Sequence, residues 1–391
     1  MIESAGPASA DSAVYRPESI THLRSMLSSE IAPDQRISVH GGRTRGGYGN
    51  VGGATDVTID TTGLYRIIDF SPDDLVLAVE AGATIESINS VLSDAGQCLP
   101  IDAAHPSSST VGGAFATGIS GPRRLKYGSL KDAVVGIEVT GPDGETAKAG
   151  GMVVKNVSGY DLSRLHYGAL GIFGIVTRLN FKVQPMPDAA RRIVGEFNQG
   201  DEAWDVVLEL WRSGFELTSL VARVERERVE IQVLIDGSAR KIESLTDRIS
   251  RTLLDSHRRA EVEFQDVDPV HPSLDLQFID MRPDHGVVRL SSPVSQQRET
   301  VDTLLRAGCR VAYADIGSNL VYGIAEPTME WRQAMLHAFD RLAFLALPER
   351  LRKGIDVTGG VNAAFEPVIR RLKHEFAPRG RLNANRGAMR L

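Results

Sequence analysis

Apolar positions along this chain recur with two periods, and the switches between them mark out its elements. Residues 36–40 (RISVH) alternate with the two-residue spacing of a strand, and 75–80 (LVLAVE) read as another strand. In 54–70, Val57 and Ile59 precede a turn and then Ile67 and Ile68, which reads as strand and hairpin. The spacing becomes helical at Ile85, Ile88, Val91 and Leu92, and Gly96 closes that helix. A strand follows the glycine-broken run at 168–174, and Pro185 and Pro187 end it and set a boundary. Beyond it come an amphipathic helix (202–214), two strands around a charged turn (215–238) and a helix (239–256) with Ile242, Leu245, Ile249 and Leu253 on one face. The order recurs less clearly as a strand at 287–293, a helix at 294–308, strands at 309–317 and 319–326, and a helix at 327–343. A last helix over 366–377 places Ile369, Leu372 and Phe376 on one face, for packing. The expectation is two domains, 1–187 and 188–391, the second an α+β cap that is ferredoxin-like in parts.

Length supports this division, because 391 residues exceed the roughly 250–300 at which one core stops growing. The net charge of −6 and dispersed basic residues, clustered only at Arg123-Arg124 and Arg370-Arg371-Lys373, argue against nucleic acid as the main partner. Cys98 and Cys309 stand far apart in no metal spacing, so neither a disulfide framework nor a chain-borne iron–sulfur cluster is indicated. Residues 1–20 hold no apolar signal-peptide core, and no apolar run reaches the ~20 residues of a membrane span. These features predict a cytoplasmic protein, in which the Asn156–Ser158 sequon has no role.

Candidate chemistry begins at 41–53, with seven glycines in thirteen residues, including GYGNVG. That string matches the dinucleotide fingerprint G-x-G-x-x-G, which works only where the glycines open a helix whose amides face a pyrophosphate. Here strand-like residues follow, so the match is coincidence. The phosphate-loop pattern fails too, since Gly47 stands where its lysine belongs. What survives is a glycine-rich turn between strands, either a surface hairpin or a loop whose free amides suit a diphosphate. Two further runs favour the second reading. In 105–118, Ser107–Thr110 precede Gly112-Gly113 and the small Ala114, Ala116 and Gly118, and in 168–174 glycines break an apolar run before a strand. Three such loops, each beside a strand, suggest one extended ligand.

The series GGRT at 41, VEAGAT at 79, STVGGAFATG at 109, GPRRLKYGSLKD at 121, GGMVVKNVSGYDLSRL at 150 and GALGIFGIVT at 168 resembles the FAD-binding domain of the vanillyl-alcohol oxidase (PCMH-type) superfamily. Within it, the GPRR, YGS and KNVSGYDLSRL strings are similar to the FAD-binding E subunits of bacterial glycolate oxidases. The likeness is strong over about residues 10–187; beyond, only 376–386 (FAPRGRLNANR) matches a family motif, F-D-P-x-x-x-x-N-P-G-[KR]. The resemblance implies an α+β fold, a two-part PCMH-type FAD-binding domain followed by the cap. It implies that Gly41, Gly42, Arg43, Thr44, Arg45 and Gly46 wrap the FAD pyrophosphate. It implies that His105, Thr110, Val111, Gly112, Gly113, Thr117 and Gly118 follow the ribityl chain and flavin edge, with Tyr127 and Gly128 beside them. Gly174, Ile175 and Val176 are expected at the adenine end. Thr44 occupies the position of the histidine that some members link to flavin, so FAD is expected to be noncovalent, and His40 nearby to be structural.

No catalytic residue is assigned. Dehydrogenating a 2-hydroxy acid needs a cationic clamp for the carboxylate and a base for the hydroxyl proton, or a metal. None of the nine histidines forms a pair at ligand spacing, and the relatives' H-x-G-x-G-N-x-H metal motif is missing, so no metal is expected. Arg123, Arg124 and Lys126 fit a solvated face, a carboxylate clamp or an acidic partner. Lys155 fits a partly buried ion pair with Asp161 or a flavin contact. Three functions stay open. One is a flavin-binding subunit of a glycolate (2-hydroxy acid) oxidase, with a second flavoprotein and an iron–sulfur subunit as partners, peripheral at the inner membrane through them. The others are a self-sufficient FAD dehydrogenase and a structural subunit without flavin.

Overall fold

The computed structural model describes residues 13–152, 161–198, 200–254, 261–272, 274–280, 284–360 and 363–387. Its first half holds two sheets. Ile37–His40 and Ala13–Tyr15 flank Val57–Asp60 in a parallel three-stranded sheet. An antiparallel five-stranded sheet runs in the order Ile67–Ser71, Val76–Glu80, Ile175–Lys182, Val134–Thr140, Thr146–Gly150. Val57–Asp60 and Ile67–Ser71 therefore do not form the expected hairpin. Alternation marks both as strands, but pairing partners are chosen by contacts remote in sequence.

Val76–Glu80 is buried along its whole length, with Glu80 paired to the Arg66 guanidinium (2.8 Å) and accepting from the Arg66 backbone N–H (2.9 Å). The next helix, Ile85–Ser93, is capped by Thr84 accepting from the Ser87 N–H, and the chain turns out of it at Gly96 with φ +65°. Its inner face departs from the hydrophobic reading. Val91 is exposed, and Asn89 is buried because its amide bonds the Leu99 N–H (2.8 Å) and C=O (3.2 Å), closing the chain end that follows.

The second half is two βαββαβ units, a ferredoxin-like order. The first comprises Ala189–Phe197, the helix Gly200–Arg212, Ser219–Glu225, Arg228–Gly237, the helix Ala239–Leu254 and Glu261–Val267. The second comprises Gly286–Ser291, the helix Val294–Arg306, Val311–Asp315, Leu320–Ala325, the helix Met329–Ala338 and Ala343–Ala346. In each, the fourth strand lies beside the first and the third beside the second, and Ser219–Glu225 pairs with Val311–Asp315 to fuse them into one eight-stranded antiparallel sheet. The strands at 261–267 and 343–346 had no clear sequence signal; the helix read over 327–343 ends at Ala338, and the last strand begins at Ala343.

One face of this sheet packs on its helices, with Ile242, Leu245, Ile249 and Leu253 inside as predicted. The other face meets Tyr48, Ile119 and Leu170 of the first half. Across that face Arg223, Tyr313, Tyr322 and Arg289 are paired in one row, and Phe278 stacks on both tyrosines at 4.8 and 4.7 Å. The helix Glu366–Phe376 buries Lys373 and half-buries Ile369, Leu372 and Phe376; Phe376 packs edge-on against His166. The chain then returns to the first half, where Leu382 bridges Ile37 and the Asn383 N–H donates to the Ile37 C=O (2.8 Å).

Candidate cofactor site

The glycine-rich loop joins two adjacent parallel strands, so it is a crossing connection and not a hairpin tip. Arg43 takes φ +56° within it. Among the described residues, none of the backbone N–H groups from Gly41 to Gly47 donates a hydrogen bond. Such a run of free donors around a left-handed residue forms an anion-binding concavity. Several of the loop's carbonyls are committed. Those of Gly46 and Gly49 accept from Arg352 Nη1 (3.4 and 3.0 Å), and that of Tyr48 accepts from Arg386 Nη2 (2.7 Å).

The second loop presses on the first. A Cβ at Gly42 would lie 1.6 Å from the Ser108 carbonyl oxygen, and one at Gly41 2.2 Å from Thr110 Oγ1. Thr44 and Ser109 hydroxyls meet at 3.0 Å. Thr110 then caps the helix Val111–Thr117 by accepting from the Gly113 N–H, and Gly118 ends it at φ +64°. Gly112 sits flush on Ala81, whose Cβ would be 2.6 Å from an added side chain. The third loop closes the group. Gly118 and Gly168 pack backbone to backbone, and the Asn383 amide joins the Leu170 C=O (2.8 Å) to the Val39 N–H (2.9 Å). Gly174 is packed against Val139, and Ile175 and Val176 are buried strand residues, so only backbone groups could face a ligand there.

Some predicted residues are occupied elsewhere. The Arg45 guanidinium does not face its own loop; it takes the Ala114 and Ile119 carbonyls (both 3.5 Å) and Thr117 Oγ1 at the C-terminal end of the Val111–Thr117 helix, where its charge complements the helix dipole. Desolvation lowers its pKa to about 10. The Tyr127 hydroxyl donates to Asp236 (2.8 Å), beside a Lys126–Asp236 ion pair, which ties the first half to the second, and Gly128 takes φ +77° after it. Arg123 is no surface residue. Buried with Asp102 (2.6 Å), it also donates to the carbonyls of Ile101 (3.0 Å) and Val270 (3.1 Å), so it is not available to a partner. His40 is held as expected of a structural residue: burial, then Arg386 and Arg43, lower its pKa to about 4. Lys155 and Asn156 lie outside the described residues, and Asp161 pairs with Arg164 (2.8 Å).

His105 opens on a cavity of about 430 Å³ between residues 101–106 and the segment 271–280. Its Nε2 lies 3.3 Å from Asp280 Oδ1. A carboxylate only accepts, so Nε2 is the donor of this contact and Nδ1 is left facing away from it. Asp280, Arg352 and Arg386 escaped sequence reasoning because nothing local links them to the loops they contact. The motif at 376–386 was the one signal for Asn383 and Arg386. No group of three His, Cys, Asp or Glu residues suited to a metal occurs among the described residues.

Residues 12–150 match the family model of the FAD binding domain. This stretch is an FAD-binding domain. Over 169 residues the chain is 34% identical to glycolate oxidase subunit GlcE of Escherichia coli K12, covering 43% of this chain and 48% of that protein. It is 33% identical over 148 residues to glycolate oxidase subunit GlcD of Bacillus subtilis, covering 38% of this chain and 31% of that one. The chain thus spans half or less of the length of these relatives. The fold extends further. 4-Ethylphenol oxidase from Gulosibacter chungangensis superposes with a TM-score of 0.72 over 96% of this chain and 89% of its own, at 16% identity. The residues fit the cofactor: the free amides from Gly41 to Gly47 could face a diphosphate, and Gly41, Gly42 and Gly112 let the loops pack directly on Thr110, Ser108 and Ala81. FAD is the cofactor of this domain, and when bound it supplies a two-electron acceptor.

Proposed function

We propose that this protein is an FAD-dependent oxidoreductase of 2-hydroxy acids, working as the flavin-binding subunit of a glycolate oxidase type of complex. The observation that carries the reading is the 34% identity to GlcE over 169 residues, beside the FAD binding domain match at 12–150, which holds the first two of the converging loops. Gly41 to Gly46 wrap the diphosphate with their amides. His105, Thr110, Val111, Gly112, Gly113, Thr117 and Gly118 border the ribityl and flavin end. Gly174, Ile175 and Val176 offer backbone to the adenine. Thr44 forms no covalent link, so the flavin is released by acid. Residues 1–187 with the returning segment 381–387 form the cofactor domain, and the rest forms the cap. Partners are a second flavoprotein and an iron–sulfur subunit, in the cytoplasm or at the inner membrane; among the described residues no helix is long and apolar enough to cross a membrane.

The cavity at His105 favours a second reading, in which this chain oxidises its substrate unaided. His105, oriented by Asp280, is suited to accept a hydroxyl proton there. Anaerobic addition of glycolate or D-lactate to the purified, FAD-loaded chain separates the two. Bleaching without partners supports the self-sufficient enzyme, and bleaching only after a sister subunit is added supports the shared one. A protein that stays colourless after incubation with FAD would sink both.

A further inference from the structure

The free amides of the glycine loop face one way because its carbonyls are drawn another way, and the groups that draw them come from far along the chain. In a trans peptide the C=O and the next N–H point oppositely. Fixing the Gly46 and Tyr48 carbonyls therefore turns the Gly47 and Gly49 N–H groups to the opposite side. Arg352, buried in the second half, holds the first, and Arg386, on the returning segment, holds the second. The returning segment is itself anchored on this loop: the Asn50 N–H donates to the Arg386 C=O (3.1 Å), the Gly53 N–H to the Ala384 C=O (3.1 Å), and Asn50 Nδ2 to the Gly387 C=O (2.6 Å).

The charge balance here is unusual. Among the described residues no carboxylate is within ion-pairing distance of Arg386, while Arg352 adds like charge to its surroundings, and burial with Arg386 and Arg43 holds the pKa of His40 down. Although part of its surface is open, Arg386 sits deep enough that desolvation, with Arg352 beside it, lowers its pKa to about 10. A desolvated guanidinium without a counter-ion is costly, and an anion brought to the loop relieves that cost.

We propose that Arg386, with Arg352, completes the diphosphate-binding site, orienting the loop amides and supplying positive charge, so that FAD retention depends on docking of the returning segment and the second half. Both are positioning residues: they act through the loop and through their field. Only the phosphate-bearing part of the ligand should feel them.

The test uses the full chain stripped of flavin and titrated with FAD, ADP, riboflavin and adenosine by calorimetry at several ionic strengths. Arg386→Gln, which keeps a donor for the Tyr48 carbonyl but loses the charge, is expected to weaken FAD and ADP binding about tenfold, with a flatter salt dependence, and to leave riboflavin and adenosine unchanged. Arg386→Lys is expected to restore much of both. Unchanged ADP affinity in folded Arg386→Gln would overturn the proposal. So would an equal loss for ADP and adenosine, which would mean a disturbed loop without a charge effect. Should the variant not fold, the unaltered protein decides: ADP binding that weakens with salt while adenosine binding does not supports the proposal, and salt-independent ADP binding refutes it.

Discussion

Gly42 lies so close to Ser108 that a side chain on it would begin 1.6 Å from the Ser108 carbonyl oxygen. A carboxylate at this position is expected to repel the diphosphate, but the geometry adds a stricter condition: even one methyl group must push the first two loops apart. Gly42→Ala should therefore lose FAD as Gly42→Asp does. At Gly46 a Cβ would make an ordinary 3.6 Å contact, so Gly46→Ala should retain it. The ratio of flavin absorbance to protein after desalting measures both. Full flavin in Gly42→Ala would show that the loops do not meet as described.

Arg123 and Asp102 form an ion pair that is 97% shielded on both sides, each side chain being only 3% exposed. Removing one partner leaves the other charge buried. Asp102→Asn should cost about 3–5 kcal/mol of stability, and the double change Asp102→Leu/Arg123→Met less than the sum of the two single changes. Denaturant unfolding of the flavin-loaded protein tests this, and equal stability of Asp102→Asn and the unaltered chain would contradict it.

Tyr127 joins the two halves through Asp236. Tyr127→Phe should cost roughly 1 kcal/mol, the usual worth of one hydrogen bond, and leave FAD affinity unchanged. A stability loss is read by thermal unfolding. A large drop in FAD affinity with normal stability would instead make the hydroxyl a cofactor contact.

Two buried groups set opposite pH limits. Burial lowers the pKa of His166 from 6.5 to about 4, and its Nδ1 has no hydrogen-bond partner among the described residues. Neutral in the fold, His166 takes up a proton on unfolding below its unfolded pKa, so its stability contribution is full above about pH 6.5 and is lost as pH falls to about 4, by on the order of 3 kcal/mol. His166→Phe should flatten this acid limb. Asp315 runs the other way: burial raises its pKa from 3.8 to about 7, with Ser318 offsetting part of the shift. Protonated in the fold, it favours the folded state at low pH, and stability falls as pH rises through that window. Asp315→Asn should remove the fall. Chemical denaturation from pH 4 to 8 checks both, and unchanged slopes in the variants would refute the assignments.

Local pattern was enough for elements whose signal lies in their own residues. Ile242, Leu245, Ile249 and Leu253 show their helix and its inner face because the side chains that pack are those that repeat. The glycines at 41, 42 and 112 stood out in the sequence as positions without side chains, and the structure shows what each is packed against: Thr110, Ser108 and Ala81. Asn89 defeated the same logic, since its burial depends on a hydrogen bond to Leu99 across a turn and not on hydrophobicity. Arg45 lies in the right loop by sequence, yet its long side chain reaches the end of another helix.

Most helices and strands, the α+β class and the three glycine-rich loops were legible from spacing within tens of residues, and the motifs that carry the resemblance to FAD-binding domains are equally local. Tertiary structure alone decided which strands pair and that the two βαββαβ units share one sheet. It also decided that the Arg123 charge is buried on Asp102, that His105 meets Asp280, and that Arg352 and Arg386 return to a loop some 300 residues earlier. Those contacts depend on how separate elements stack, and no local periodicity encodes the distance between them.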